Sequence, residues 1–220
     1  MGKKRVGVLL AGCGVYDGSE IHEATLTLYF LDKGGAEIIC MAPNNDQRDV
    51  MDHVRGEPAA EKRNIMTEAA RIARGKIQDV RNVSARELDA LVIPGGFGAA
   101  KNLCSFAVDG AACNVDESVA ELLRELHKSK KPIGALCIAP AVIAGVFGKT
   151  CAPLITIGSD AGTAAAIEAM GARHKTAAVD EIVIDTENRI VTTPCYMLGQ
   201  SIGEIGAGIE KLVAKIIEMA

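Results

Sequence analysis

Lys131-Pro132-Ile133-Gly134-Ala135-Leu136-Cys137-Ile138-Ala139-Pro140-Ala141 decides how this chain is read. It reads as a short buried strand (Ile133 to Leu136), a cysteine at the strand's end, and a small-residue helix beginning at once (Ile138 to Phe147). A strand that turns straight into a helix with a nucleophile at the junction is a nucleophile elbow. Such a turn lifts the reactive atom out of the backbone and aims helix N–H groups at it. Gly134, Ala135, Ala139 and Ala141 suit the crowding of that turn, and Pro140 fits a first helical turn because its missing N–H would be unpaired there. Helix amides lower the pKa of a thiol held among them, so Cys137 is expected to react as thiolate. The plain alternative for Cys137, taken alone, is a small core residue.

Outward from the elbow, strands alternate with helices. Arg5–Leu10 is a continuous apolar run, hence a buried parallel strand. A glycine-rich loop (Ala11–Gly18) leads to a helix for which Asp17 is the predicted N-cap, with Asp17-Gly18-Ser19-Glu20 at capping-box spacing. That helix runs to about Lys33 and stops at Gly34-Gly35. Ala36–Met41 is the second strand and Asn44–Arg63 a polar excursion with room for a hairpin. Asn64–Arg74 is helical, Leu88–Ile93 is the third strand, and Val115–Ser129 is an amphipathic helix. Past the elbow, Gly162–Met170 is a short helix, Ile182–Ile184 and Ile190–Thr193 are strands, and Met197–Glu218 closes the chain. The pattern is α/β with a flavodoxin-like plan, and residues 1–220 are expected to form a single domain. In such sheets the functional crevice lies at the carboxyl ends of the strands. Gly12–Gly18, Gly95–Ala100, the Cys137 elbow and Thr193-Pro194-Cys195 should meet there.

Composition narrows the function. The 220 residues are 49% hydrophobic but only 3% aromatic, with no Trp, so the core must be built of aliphatic side chains. A net charge of −4 argues against a nucleic-acid partner, which needs a basic face. No membrane partner is expected either, since Val6–Ala11 is too short for a signal-peptide core and no transit peptide precedes it. Seven cysteines without CxxC spacing point to reduced thiols and a cytoplasmic protein. The four histidines show no metal-ligand spacing, so no metal is expected.

Gly12-Cys13-Gly14-Val15-Tyr16-Asp17-Gly18 places its third glycine one position too late for a dinucleotide fingerprint, and there is no lysine-bearing phosphate loop. Pro94-Gly95-Gly96 follows a strand, where glycine lets backbone approach a ligand closely. An N–H from Gly96 with that of Ile138 would make an oxyanion hole beside the thiol. Glu20 and Glu23 sit in the first turns of the first helix. Both could simply offset the helix dipole. The capping box claims Glu20, which leaves Glu23 freer to act on Cys137. His22 points elsewhere on the helix.

These residues resemble the PfpI-like branch of the class I glutamine amidotransferase-like superfamily, and within it the bacterial ElbB group (enhancing lycopene biosynthesis protein, also described as a glyoxalase). The likeness spans Gly12 to Glu23, Pro94 to Leu103, Cys137 to Ala141 and Thr192 to Pro194. The resemblance implies a three-layer α/β/α sandwich with a mostly parallel sheet, a homodimer, and no cofactor. It also implies Cys137 as nucleophile, Glu23 as its acidic partner and Gly96 at the oxyanion position. A glutaminase takes a His and a Glu from a late strand to activate its cysteine. Here that strand end reads Thr192-Thr193-Pro194-Cys195-Tyr196, and Ile138 follows the nucleophile where many relatives carry His. Glutamine and peptide hydrolysis are therefore not expected.

Two functions of different class follow. The first is a cofactor-independent glyoxalase acting on a small aldehyde, in which Cys137 adds to glyoxal and Glu23 relays a proton, with Glu20 and Cys13 as accessory candidates. The second is a thiol redox sensor, or an accessory protein of isoprenoid synthesis, whose glyoxal activity is incidental. For the sensor, Cys13 and Cys195 at strand ends near Cys137 would be the relay.

Overall fold

The computed structural model describes residues 2–220. β1 (Arg5–Leu9) leads through the glycine loop to α1 (Ile21–Lys33) and β2 (Glu37–Ala42). A hairpin of β3 (Met51–Asp52) and β4 (Glu57–Pro58) precedes α2 (Ile65–Ile72), β5 (Ile77–Asp79) and β6 (Ala90–Ile93). A short α3 (Phe106–Asp109) and α4 (Glu117–Lys128) come before β7 (Ile133–Leu136) and α5 (Pro140–Cys151). β8 (Leu154–Ile155) pairs with β9 (Arg173–His174) around α6 (Ala161–Ala169). β10 (Val183–Asp185), β11 (Ile190–Thr193) and α7 (Ile202–Met219) complete the chain.

Seven strands form the central sheet in the order β10-β11-β7-β6-β1-β2-β5. Every pairing in it is parallel except β10 with β11. The pleat sorts side chains into two apolar layers. Val6, Val8 and Leu10 meet residues of α1, α2 and α7 on one face, among them Ala24, Ile65 and Ile209. Leu9, Leu91, Ile93 and Ile133 meet α4 and α5 on the other, among them Leu123, Leu126, Val142 and Phe147. Both faces are covered, which is why the strands read as unbroken apolar runs rather than alternating ones. This is the flavodoxin-like α/β plan, and it turns the carboxyl ends of β1, β6, β7 and β11 toward one rim.

Several boundaries differ from expectation. Asp17 is not the N-cap of α1: its Oδ2 accepts the Met51 N–H at 2.8 Å, so the carboxylate ties the glycine loop to the β3–β4 hairpin. Glu20 caps the helix instead, its Oε2 accepting the Glu23 N–H at 2.8 Å. The elbow helix begins two residues later than expected and runs to Cys151, because Ile138 and Ala139 form the turn itself. β5 was not foreseen. It is three residues long and sits at the sheet's edge, too short to show a period. The closing helix starts at Ile202; residues Cys195–Met197 form a separate turn of 3₁₀-helix.

Candidate active site

The elbow is formed as read, and its backbone is strained. Cys137 has φ 57°, a left-handed conformation that costs a non-glycine residue roughly 1–3 kcal/mol. Its neighbours hold it there. The Cys137 N–H donates to Thr193 O at 3.0 Å, anchoring the turn to the end of β11. The Ala139 N–H donates to Leu136 O at 2.9 Å, and Pro140 opens α5. The sulfur therefore emerges at the head of β7 with α5 starting beyond it.

Glu23 reaches the sulfur from α1. It is wholly buried, and its carboxyl lies beside Cys137: a Cβ added at Gly95 would touch both side chains. Its two oxygens are also fixed by backbone donors: Oε2 accepts the Gly95 N–H at 2.9 Å and Oε1 the Tyr196 N–H at 3.2 Å. Gly95 is required by crowding. A Cβ built there would lie 2.4 Å from Cys137 Cβ and 2.6 Å from Glu23 Oε2. The next residue, Gly96, has φ 93° and lends its N–H to the sulfur together with that of Ile138. The ends of β6, β7 and β11, together with α1, thus converge on one thiol.

The electrostatics differ from the expectation of a low thiol pKa. Burial first, and the neighbouring Glu20 carboxylate second, push Glu23 up to about 8. Burial and then Glu23 push the Cys137 thiol well above its ordinary value, against the pull of the Gly96 and Ile138 amides. The elbow amides do act on the sulfur, but desolvation and a carboxyl neighbour outweigh them. Near neutral pH the pair therefore rests with Glu23 as an acid and Cys137 as a thiol.

Cys137 lies on the wall of an open cavity of about 440 Å³. Gly96, Phe97, Ile138 and Val15 share that wall, as do Glu20 and Tyr196. The loops expected to converge at the strand ends do so. Glu20 is itself the N-cap of α1 rather than the partner of an Asp17 cap, and it faces the cavity, while the carboxyl beside the sulfur is Glu23. Cys13 does not belong here. Its charged neighbours are Glu68, Arg71, Asp17 and Arg63, because the glycine loop turns that side chain toward α2. Cys195 does adjoin Cys137, but it is fully buried and its thiol is pushed well up by burial.

Tyr196 was missed as a site residue. It contributes through its main-chain N–H, which no side-chain motif announces. Its hydroxyl shares a 2.8 Å hydrogen bond with His22 Nδ1 at the cavity's edge, so His22 is not as remote as its helix position suggests. Asp160, Thr163, Phe106 and Ala107 also reach the cavity, from segments with no motif of their own. Among the described residues no group of His, Cys, Asp or Glu has the arrangement of a metal site, and no helix is long and apolar enough to cross a membrane.

The sequence model of the DJ-1/PfpI family matches residues 11–194. A human protein, glutamine amidotransferase-like class 1 domain-containing protein 3, mitochondrial, is 47% identical over 98% of this chain and 83% of its own length. The rat ES1 protein homolog, mitochondrial, is 46% identical over 99% of this chain and 84% of its own. A crystal structure from Ehrlichia chaffeensis, of an isoprenoid biosynthesis protein with amidotransferase-like domain, superposes with a TM-score of 0.91. It is 37% identical and covers 98% of this chain and 100% of that one.

Proposed function

The chain belongs to the DJ-1/PfpI family, and from that premise we propose that it is a cofactor-independent glyoxalase converting glyoxal, or a similar small 2-oxoaldehyde, to glycolate. The observation that carries the reading is the buried Glu23 carboxyl set beside Cys137, with the Gly96 and Ile138 amides acting on the sulfur.

The reactive form holds one proton between the two groups. Cys137 sulfur bonds to an aldehyde carbon, and the carbonyl oxygen, as it gains charge, is held by the Gly96 and Ile138 N–H groups. Glu23 gives that oxygen its proton, which completes a hemithioacetal. The Glu23 carboxylate then takes the hydrogen of the same carbon and returns a proton to the neighbouring carbon, while the hydroxyl proton of the first carbon passes to the oxygen of the second. The product of this shift is a thioester of glycolate on Cys137. Water adds to the thioester, glycolate leaves, and the sulfur is restored. Overall, one glyoxal and one water give one glycolic acid. Proton relay of this type contributes about 10²–10⁴-fold.

Two features argue against the other readings. Thr193, Pro194 and Tyr196 stand at the end of β11 where a glutaminase would place its histidine and acid, so the cysteine has no imidazole partner. A sensor needs an accessible, low-pKa thiol, and burial works against that at both Cys137 and Cys195. The isoprenoid function in the Ehrlichia protein's name is a statement about that protein. Among the described residues lining the cavity here there is neither lysine nor arginine to receive a diphosphate, so an isoprenoid role for this chain would run through a protein partner. We place the protein in the cytoplasm on its unpaired cysteines and as a homodimer on the resemblance; the human and rat relatives carry "mitochondrial" in their names.

The test is glycolate formation from glyoxal without glutathione, in wild type and Cys137→Ala. Wild type should turn over and the variant should not; full activity in the variant would overturn the mechanism.

A further inference from the structure

Water attacks a thioester faster when a base takes its proton. Glu23 is wholly buried, with both carboxyl oxygens on main-chain donors, so water entering the cavity meets other polar groups first. Glu20 and Tyr196 share the cavity wall with Cys137. Tyr196 is tied down at both ends. Its N–H donates to Glu23 Oε1 at 3.2 Å, and its hydroxyl shares a 2.8 Å hydrogen bond with His22 Nδ1. The same Nδ1 lies 3.9 Å from Glu20 Oε1, and Glu20 is fixed in turn by its Oε2, which accepts the Glu23 N–H at 2.8 Å. The His22 side chain is half-exposed, so its ring exchanges protons with solvent. Burial pushes the Tyr196 phenol above its ordinary value, which keeps a proton on the hydroxyl. A neutral imidazole protonated on Nε2 presents Nδ1 as the acceptor for that proton.

We propose, resting on the glyoxalase reading, that the Tyr196 hydroxyl takes the proton of the hydrolytic water and passes its own to His22, while Glu20 balances the charge that forms on the imidazole. The water oxygen bonds to the thioester carbon. As it does so, one water proton moves to the Tyr196 oxygen and the phenol proton moves to His22 Nδ1. The carbonyl electron pair shifts to its oxygen, which the Gly96 and Ile138 N–H groups hold. That pair then re-forms the carbonyl, the C–S bond breaks with its electrons on sulfur, and glycolic acid leaves. The imidazolium proton returns by way of Tyr196 to the Cys137–Glu23 pair. Nothing is oxidised or reduced in this step. His22 acts through Tyr196 and on the water, unlike the imidazole of a glutaminase, which activates the thiol itself.

Tyr196→Phe tests this while keeping the main-chain N–H that Glu23 needs. His22→Ala removes the proton acceptor from a half-exposed position and leaves the core intact. Each full-length protein is mixed with glyoxal without glutathione, quenched in acid and freed of small molecules. Hydroxylamine is then added, which turns a thioester, but not a hemithioacetal, into a hydroxamate. Wild type should release glycolate with little thioester standing. Tyr196→Phe should form the thioester at the wild-type rate and then hold it, with glycolate release slower by about 10²–10⁴-fold. His22→Ala should behave alike and regain rate in added imidazole, a recovery that a purely structural loss would not show. Glycolate release at the wild-type rate by Tyr196→Phe, or slow release with no thioester standing, overturns the proposal. Wild type that makes neither thioester nor glycolate overturns the glyoxalase reading itself, and this proposal with it.

Discussion

Glu23 and Cys137 lie side by side, the carboxyl wholly buried and both of its oxygens already held by main-chain donors, Gly95 at 2.9 Å and Tyr196 at 3.2 Å. That geometry lets the acid do little except exchange a proton with whatever the sulfur has bound. It also makes the pair sensitive to pH, to charge and to the backbone that frames it.

Replacing Glu23 by Gln removes the relay and also the fit. The new amide must turn its NH₂ toward either the Gly95 or the Tyr196 N–H, donor against donor. Glyoxal turnover, kcat/KM, should fall by about 10²–10⁴-fold, while acid-quenched protein still carries glyoxal on Cys137. A variant within threefold of wild type would remove Glu23 from the chemistry.

The activity should rise with pH. With Glu23 pushed up to about 8 and Cys137 higher still, the pair holds both protons at neutral pH, and the reactive form, one proton shorter, grows roughly tenfold per unit until about pH 8. Initial rates between pH 6 and 9 measure this directly. A profile flat across that range would mean the pair already holds a single proton at neutrality.

The same burial ties stability to pH with the opposite sign. Glu23 loses its proton near 4.5 when the chain is unfolded but only near 8 when it is folded. The folded state keeps its full advantage below the lower value and loses it as pH rises through the upper one. The loss is on the order of 5 kcal/mol. Urea unfolding at pH 5 and pH 8.5 should show wild type weakening relative to Glu23→Gln, whose amide does not titrate. Parallel curves for the two proteins would contradict the buried acid.

How much of this was legible in the chain can be judged at the same residues. The strand Ile133–Leu136 and its cysteine were readable because both faces of β7 are buried and the elbow is a local pattern. Asp17 was misread for the converse reason: it matched a capping box in sequence, but Met51, thirty-four residues away, takes its carboxylate. The thiol's raised pKa is likewise a product of distant parts. An elbow predicts the amides of Gly96 and Ile138, not the desolvation imposed when α1 brings Glu23 against the sulfur. Cys13 and Cys195 looked equivalent as strand-end neighbours, and only the path of the glycine loop sends Cys13 toward Glu68. Tyr196 acts through its backbone, which side-chain patterns do not mark.

Gly95→Ala tests the crowding at the site. Its φ is not the difficulty; the added methyl would lie 2.4 Å from Cys137 Cβ and 2.6 Å from Glu23 Oε2. Overpacking of this kind costs about 1–3 kcal/mol, and parting the carboxyl from the sulfur should abolish turnover. Gly203→Ala, in the helical backbone of α7 and with no atom closer than 4.0 Å to the new carbon, separates this from the general effect of removing a glycine. Equal activity in the two variants would refute the close packing.

The most direct measurement is the covalent one. Protein mixed with glyoxal, without glutathione, is quenched in acid during turnover and mapped by mass spectrometry, alongside Cys137→Ala. The account predicts one glyoxal equivalent on the peptide that contains Cys137, and neither adduct nor glycolate from the variant. Glycolate released at the wild-type rate by Cys137→Ala would contradict it.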